Sequence, residues 1–302
     1  MHWHLPQRKP LQPQPDTLQT LLSAMQSRLR AAGVADPRLE ASILLECATG
    51  LDRTKLLRDI KRSTSDSEFR ASEELLGRRL AGEPVQYIVG TAWFYGREFY
   101  VDRRVLIPRP ETEVLVEQAS ELLSAELATG KTHGICDVGT GSGILAITLA
   151  LEYQNAHVVA TDVSGAALEV AHRNCVRHGV ENRVRLVQCD ALRAVSQQFD
   201  VVVSNPPYVR RDEIAGLQSD VRDFEPHMAL DGGADGLAVV RRLLVESTEH
   251  LVENGALLLE VGSDQAGQVI DLMAQMGMWT ELRTIADLSA VDRVVCGRRV
   301  SA

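Results

Sequence analysis

The stretch Phe199–Val209, F-D-V-V-V-S-N-P-P-Y-V, decides how the rest of the chain is read. Residues 199–203 are Phe and Val broken only by Asp200, a length and β-branched content that suit a buried parallel strand. The strand has to stop at Pro206, because proline has no N–H for the ladder and Pro207 follows at once. Each residue before a proline is pushed out of the helical region. Asn205-Pro206-Pro207-Tyr208 is therefore a stiff, extended turn at the carboxyl end of a strand, where open α/β sheets place their ligands. The Asn205 side-chain oxygen and the Pro206 carbonyl offer two convergent acceptors, which suit an –NH2 with two hydrogens to give. Tyr208 is placed to stack on the planar group that carries this –NH2. The turn reads as a holder for a planar amide or an exocyclic amine, its nitrogen aimed at an electrophile.

Around this stretch, from Gly134 onward, strand and helix patterns alternate, the signature of a doubly wound parallel sheet. Expected strands are residues 135–138, 157–161, 184–188, 199–204, 256–261, 280–285 and 293–296. No crossover helix is evident before the last of them, which predicts a final antiparallel strand. Strand one runs into Asp137-Val138-Gly139-Thr140-Gly141-Ser142-Gly143, and a helix follows from Ile144. Glycines between a strand and a helix let backbone approach a ligand closely. The spacing is G-x-G-x-G, which argues against a pyrophosphate-binding dinucleotide site. It suits a cofactor without phosphates, such as S-adenosylmethionine. Strand two ends in Asp162, 19 residues after Gly143, where a carboxylate can accept from ribose hydroxyls. Strand three ends in Cys189-Asp190-Ala191, where a carboxylate and neighbouring backbone can meet an adenine amino group. Four successive strand ends thus carry chemistry: Gly139 to Gly143, Asp162, Asp190 with Ala191, and Asn205 to Tyr208.

The remainder sets limits. The chain has 302 residues, 45% hydrophobic and 24% charged, so it is expected to be globular and soluble. No apolar run approaches the roughly 18 residues needed to span a bilayer. Residues 1–15 hold four prolines and no apolar signal-peptide core, and are expected to be a disordered tail. The five cysteines form no C-x-x-C and the histidines no H-E-x-x-H. Reduced, buried thiols in a cytoplasmic protein, with no metal, are the expectation. The net charge of −9 is uneven: residues 1–90 carry 13 Lys+Arg against 11 Asp+Glu, and residues 91–302 carry 19 against 30. An acidic catalytic half is a poor match for a nucleic-acid backbone.

Residues 16–82 read as helical. Leu18, Leu21, Leu22, Met25 and Leu29 recur at helical spacing before Gly33. Asp36-Pro37 opens a second helix, with Leu39, Ile43, Leu44 and Cys47 as its apolar face and Gly50 as its stop. Residues 72–80 supply another short helix. This bundle reads equally as a stability cap or as a docking platform for a macromolecular substrate. Residues 83–110 hold six of the thirteen aromatics, and Gly96 between two apolar runs predicts a hairpin that links the bundle to a domain over 111–302. Pro110, Glu111 and Glu113 suit the first turn of a helix that follows.

At this point the chain resembles the protein-(glutamine-N5) methyltransferases that modify peptide chain release factors, from about Gly82 to Arg298. The matching stretches are G-E-P-V-Q-Y-I-V-G, V-L-I-P-R-P-E-T-E, D-V-G-T-G-S-G, S-N-P-P-Y-V, A-L-D-G-G-A-D-G-L and D-R-V-V-C-G-R. N-P-P-Y alone is shared with adenine-N6 and guanine-N2 methyltransferases; P-R-P-E-T-E and A-L-D-G-G-A-D-G-L discriminate far better. The resemblance implies a seven-stranded Rossmann-like methyltransferase domain, a helical N-terminal domain and a hairpin linker. It implies that Gly139, Thr140, Gly141, Ser142, Gly143, Asp162 and the Asp190 region hold S-adenosylmethionine. Asn205, Pro206, Pro207 and Tyr208 then hold the glutamine of a Gly-Gly-Gln motif in class I release factors. Some relatives carry an aromatic residue where Ala191 stands, so ring stacking on the adenine is missing here.

The implied reaction is an in-line displacement at a sulfonium methyl, carried by positioning and hydrogen bonding at Asn205 and the Pro206 carbonyl, with Tyr208 packing the amide plane. It needs no nucleophilic side chain and no metal. Asp137, Glu111 and Glu225 are read as structural or capping carboxylates. The chain is expected to act as a monomer on a protein, with no stable nucleic-acid or membrane partner. Two rival readings remain: a methyltransferase acting on a flipped base, which offers the same planar –NH2, and a non-catalytic binding module with a degenerate site.

Overall fold

The structure is a computed structural model that describes residues 16–124 and 133–300. The expected tail over residues 1–15 lies outside the described residues. The chain divides into two compact units, Met1–Val89 and Gly90–Ala302.

The first unit is helical: α1 (Leu18–Ala31), α2 (Pro37–Thr49), α3 (Arg53–Arg58), α4 (Asp66–Leu80) and α5 (Val85–Val89). Side chains cap four of these starts. Thr17, Asp36, Asp52 and Ser65 each accept from a first-turn N–H, the groups a helix leaves unpaired. Two expectations change. Helix α4 starts at Asp66 rather than residue 72, because Ser65 and Glu68 form a reciprocal capping box,. The buried side of α2 is Ala41, Leu44 and Leu45; Leu39 is 45% exposed and Cys47 is exposed. The expectation of buried thiols therefore fails at Cys47, while Cys136, Cys175 and Cys296 are buried. The core joins Leu18, Leu21, Met25 and Leu29 to Leu44, Leu45 and Leu76.

The second unit opens with a hairpin, β1 (Thr91–Phe94) and β2 (Arg97–Tyr100). Its two-residue turn, Tyr95-Gly96, has φ of 50° and 70°, the left-handed pair that matches strand twist. A seven-stranded sheet follows, built from β3 (His133–Val138), β4 (Ala156–Asp162), β5 (Val184–Gln188), β6 (Phe199–Ser204), β7 (Leu251–Glu260), β8 (Trp279–Ala286) and β9 (Asp292–Arg299). The order is β5-β4-β3-β6-β7-β9-β8. The first five strands are parallel, and β9 enters antiparallel between β7 and β8. Strand β7 starts five residues before the expected 256, because Glu253-Asn254-Gly255, turn-like by composition, is absorbed as an irregularity opposite Phe199 and Val201. Alternate residues face opposite cores. Ile135, Val201 and Val203 pack with α6 (Glu113–Ser124), α7 (Ile144–Glu152) and α8 (Gly165–His178); Cys136, Val202 and Leu257 pack with α10 (Ala238–His250) and α11 (Ala266–Met276).

Connectivity places the site. The chain enters at β3, builds outward to β5, then returns to β6 on the other side of β3. That reversal leaves a crevice at the carboxyl ends of β3 and β6. The long connection from β6 to α10, with short α9 (Ser219–Phe224) inside it, supplies the far wall.

Candidate active site

The glycine loop is shaped by bonds to the end of β4. Gly139 and Thr140 both donate their N–H to the Thr161 carbonyl, at 2.8 and 2.9 Å. Gly139, Gly141 and Gly143 have φ of 74°, 56° and 86°, conformations costly for a side chain. A Cβ on Gly139 or Gly141 meets open space, whereas on Gly143 it would lie 2.9 Å from Ile147 Cδ1. The first two glycines thus leave room for a ligand and the third seats α7. Asn174, fully buried, ties loop and hairpin together: its Nδ2 donates to the Ser142 and Tyr100 carbonyls, and its Oδ1 accepts from Tyr100 N–H. Nothing in the sequence had marked Asn174.

Two carboxylates support the loop. Asp137 Oδ2 accepts from the Thr140 hydroxyl at 2.6 Å and from Ala146 N–H at 3.1 Å. Burial pushes its carboxyl up to about 7, against the pull of those two donors,. Asp162 Oδ2 accepts from Gly141 N–H and Oδ1 from Ser164 N–H, each at 2.9 Å. Burial also raises the Asp162 carboxyl, with the same backbone donors opposing. Each of its oxygens keeps a lone pair for a ligand.

A cavity of about 450 Å³ runs along these strand ends. Gly139, Thr140, Gly141, Ser142, Asp162, Asp190, Ala191, Asn205, Pro206 and Pro207 line it. Two expected residues stand outside that lining. Gly143 packs against α7, and Tyr208 turns its hydroxyl to Glu260 Oε1 at 3.3 Å. Asp190 reaches the wall but commits Oδ2 to Arg242 at 2.8 Å. Ala191, with φ of 53°, brings backbone and no ring. A shallower depression of about 600 Å³ beside Arg183 and Arg185 contains none of these residues.

Turn 205–208 is held by parts of the chain far away in sequence. Asn205 Nδ2 donates to Thr112 Oγ1 at 3.0 Å. Among the described residues Asn205 Oδ1 and the Pro206 carbonyl have no donor. The Tyr208 carbonyl accepts from Gln265 Nε2 at 2.9 Å. Val209 N–H donates to the Leu230 carbonyl, and Gly232 N–H to the Val209 carbonyl. This is the structural use of A-L-D-G-G-A-D-G-L. It lies directly behind N-P-P-Y, so closely that a Cβ on Gly232 would meet the Pro207 carbonyl at 2.8 Å and one on Gly236 the Tyr208 carbonyl at 2.5 Å. The stretch V-L-I-P-R-P-E-T-E contributes Thr112 and also Arg109, which pairs with buried Glu225 at 2.6 Å. Burial raises the Glu225 carboxyl, with Arg109 pulling it back. Arg109, Pro226 and Met228 share the cavity wall. Sequence reading located both stretches but not their job as supports.

Residues 20–90 match a family model described as PrmC N-terminal domain, and residues 113–218 match one described as Methyltransferase small domain. A release factor glutamine methyltransferase from Koribacter versatilis is 40% identical over 285 residues, spanning 94% of this chain and 99% of its own length. One from Chlorobaculum tepidum is 43% identical over 266 residues, spanning 86% and 90%. Among solved structures, the hMettl16 catalytic domain, determined in complex with a MAT2A 3′UTR hairpin, aligns with a TM-score of 0.55 at 13% identity. That match covers 78% of this chain and 84% of that one. At such identity the likeness is one of fold alone.

Proposed function

We propose the following for a chain that belongs to the release factor glutamine methyltransferase family: it transfers a methyl group from S-adenosylmethionine to the side-chain amide nitrogen of a release-factor glutamine. The glutamine is that of the Gly-Gly-Gln motif of class I peptide chain release factors. The protein acts as a monomer in the cytoplasm, and residues 16–82 dock the protein substrate, since a tripeptide alone offers few anchors. Among the described residues no helix is long and apolar enough to cross a membrane.

The cavity fits the cofactor. Gly139 and Gly141 face open space, and Asp162 keeps lone pairs for ribose hydroxyls. Asp190 and Ala191 border the same cavity, within which they would take the adenine. When bound, S-adenosylmethionine supplies an electrophilic sulfonium methyl. The observation that carries the reading is the pair of unshared acceptors at Asn205 Oδ1 and the Pro206 carbonyl, in the wall beside the glycine loop. Together they accept both hydrogens of a glutamine –NH2 and hold its nitrogen in line. The Asn205-Pro206-Pro207 backbone is stiff and already extended, so little ordering is left for the moment of reaction.

The test incubates the purified protein with methyl-labelled S-adenosylmethionine and a class I release factor. Label is expected on the motif glutamine and absent when that glutamine is replaced by alanine. Asn205→Ala is expected to cut single-turnover methyl transfer by about 100- to 1000-fold, the scale for losing a preorganised donor or acceptor. Label on nucleic acid instead of protein overturns the reading in favour of base methylation.

A further inference from the structure

We propose that Arg242 is a specificity-determining residue for the cofactor base: with Asp190 it forms a donor–acceptor pair that matches one edge of adenine. This rests on the reading that the Asp190 end of the cavity takes the adenine. Both residues line that cavity, together with Val239 and Ala191. Ala191 brings no ring to stack on the base, so polar groups carry the recognition at this end.

One face of α10 builds the pair. Arg242 and Glu246 stand one turn apart on that helix,. Arg242 Nη1 donates to Asp190 Oδ2 at 2.8 Å. Glu246 Oε2 accepts from Leu192 N–H at 3.0 Å. Between these two bonds Ala191 is held at a φ of 53°, a left-handed backbone that persists only where its surroundings fix it. The segment after β5 is thus clamped from α10, across 52 and 54 positions.

The clamp leaves two kinds of group over. Arg193 Nη1 also approaches Asp190 at Oδ2, at 3.7 Å, and Asp190 Oδ1 has no donor among the described residues. Arg242 carries five N–H donors. Among the described residues only its Nη1 finds an acceptor, and Nε is buried without one. In the cavity wall the pair therefore offers an acceptor beside a donor. The two side chains are 34% and 38% exposed, an exposure at which an ion pair adds little to stability, so the fold alone does not account for it. Adenine carries the complementary edge, a 6-amino group that donates beside a ring nitrogen that accepts. A 6-oxo base sets an oxygen against the Asp190 oxygen instead. Without Arg242 the Asp190 side chain is free to turn away from the base, and the donor beside it is gone.

The experiment uses the full chain and calorimetry. It compares S-adenosylhomocysteine with its 6-oxo analogue, S-inosylhomocysteine. Wild type is expected to prefer the adenosyl compound by about 10- to 100-fold, the scale on which a matched donor–acceptor pair rejects the wrong base. Arg242→Met keeps the apolar stem and removes the donors. It is expected to bind the adenosyl compound about 10-fold more weakly, the scale of one hydrogen bond to a charged group, and the inosyl compound as wild type does. Asp190→Asn, which can turn a donor to the base, is expected to bind the inosyl compound more tightly than wild type does. The proposal is overturned if Arg242→Met weakens both compounds by the same factor or leaves the preference at its wild-type value, or if wild type shows no preference. Should Asp190→Asn keep the full wild-type preference, the adenine lies elsewhere, and the reading of the Asp190 end falls first and the role of Arg242 with it.

Discussion

The two sides of the cavity are built differently. On the cofactor side the bonds to the loop are short in sequence: Thr140 to Asp137 spans three positions, Gly141 to Asp162 spans 21, and Asn174 on α8 reaches the Ser142 carbonyl across 32. On the substrate side, Asn205–Tyr208 is held by Thr112 across 93 positions, by Glu260 across 52 and by Gln265 across 57. The glycine loop takes its support from its own βαβ unit and from one buried asparagine on the next helix. A site assembled from a stiff turn borrows its support from three other parts of the chain. Change at a distance is therefore tolerated at the loop and felt at the turn.

Matched glycine substitutions test this most sharply. Gly236→Ala puts a Cβ 2.5 Å from the Tyr208 carbonyl, at a backbone φ of 77°. Left-handed backbone costs an alanine about 1–2 kcal/mol and overpacking about 1–3 more. A stability loss of about 2–5 kcal/mol is expected, together with displaced N-P-P-Y and slowed methyl transfer. Gly141→Ala has φ of 56° and nothing within 4 Å, so only the backbone cost of about 1–2 kcal/mol applies. Denaturant midpoints decide between them; equal losses would remove the contrast.

Asp162→Ala is the next effect in size. It deletes the acceptor of Gly141 N–H and the proposed ribose contact, and is expected to weaken cofactor binding by about 1.5–3 kcal/mol. At saturating cofactor the rate of methyl transfer should stay near wild type, because Thr112, Glu260 and Gln265 still hold the turn. Calorimetry with S-adenosylmethionine and a single-turnover assay separate the two quantities. A rate that drops at saturation would mean the two sides are not independently supported.

The same contrast explains how far the sequence could be read. Strand–glycine–helix and strand–Asp–helix are local patterns, and residues 139–142, Asp162, Asp190 and Ala191 line one cavity, while Gly143 seats α7 instead. Asn205 to Pro207 were equally legible, since consecutive prolines can end a strand in few ways. Their supports were not. Thr112 and Glu260 are ordinary residues in sequence, and only the return of β6 beside β7 makes them neighbours. Gly232 and Gly236 belong to a stretch marked only by the resemblance, and their close packing on the Pro207 and Tyr208 carbonyls has no local signal. Helix α4 was shortened for a different reason: its first turns, S-D-S-E-F-R, carry little apolar periodicity, and the signal lay in the capping pair Ser65 and Glu68. Composition likewise hid the first part of β7, where Glu253-Asn254-Gly255 reads as a turn.

Charge gives the smallest test of the comparison. Each side buries a carboxyl pushed up to about 7 by burial, Asp137 under the loop and Glu260 under the turn. In the unfolded chain both titrate near the ordinary carboxylate range, about 4. Between those values the folded protein holds protons that the unfolded chain has released, so stability falls as pH rises. The contribution is full below about 4, is lost progressively toward 7, and is flat above it. Asp137→Asn removes one of the two groups and leaves Glu260 and the histidines as they were. Relative to wild type, the variant should therefore gain about 1 kcal/mol between pH 6 and pH 8, close to one proton's worth of linkage across the single unit below 7. Urea unfolding at the two pH values reads the difference directly, with other titrations cancelling in the comparison. Because the Asp137 bonds to Thr140 and Ala146 are local, this gain should come without a change in methyl-transfer rate at saturating cofactor. A variant whose stability tracks wild type at both pH values would show that Asp137 is ionised throughout, held so by its two donors in spite of its burial.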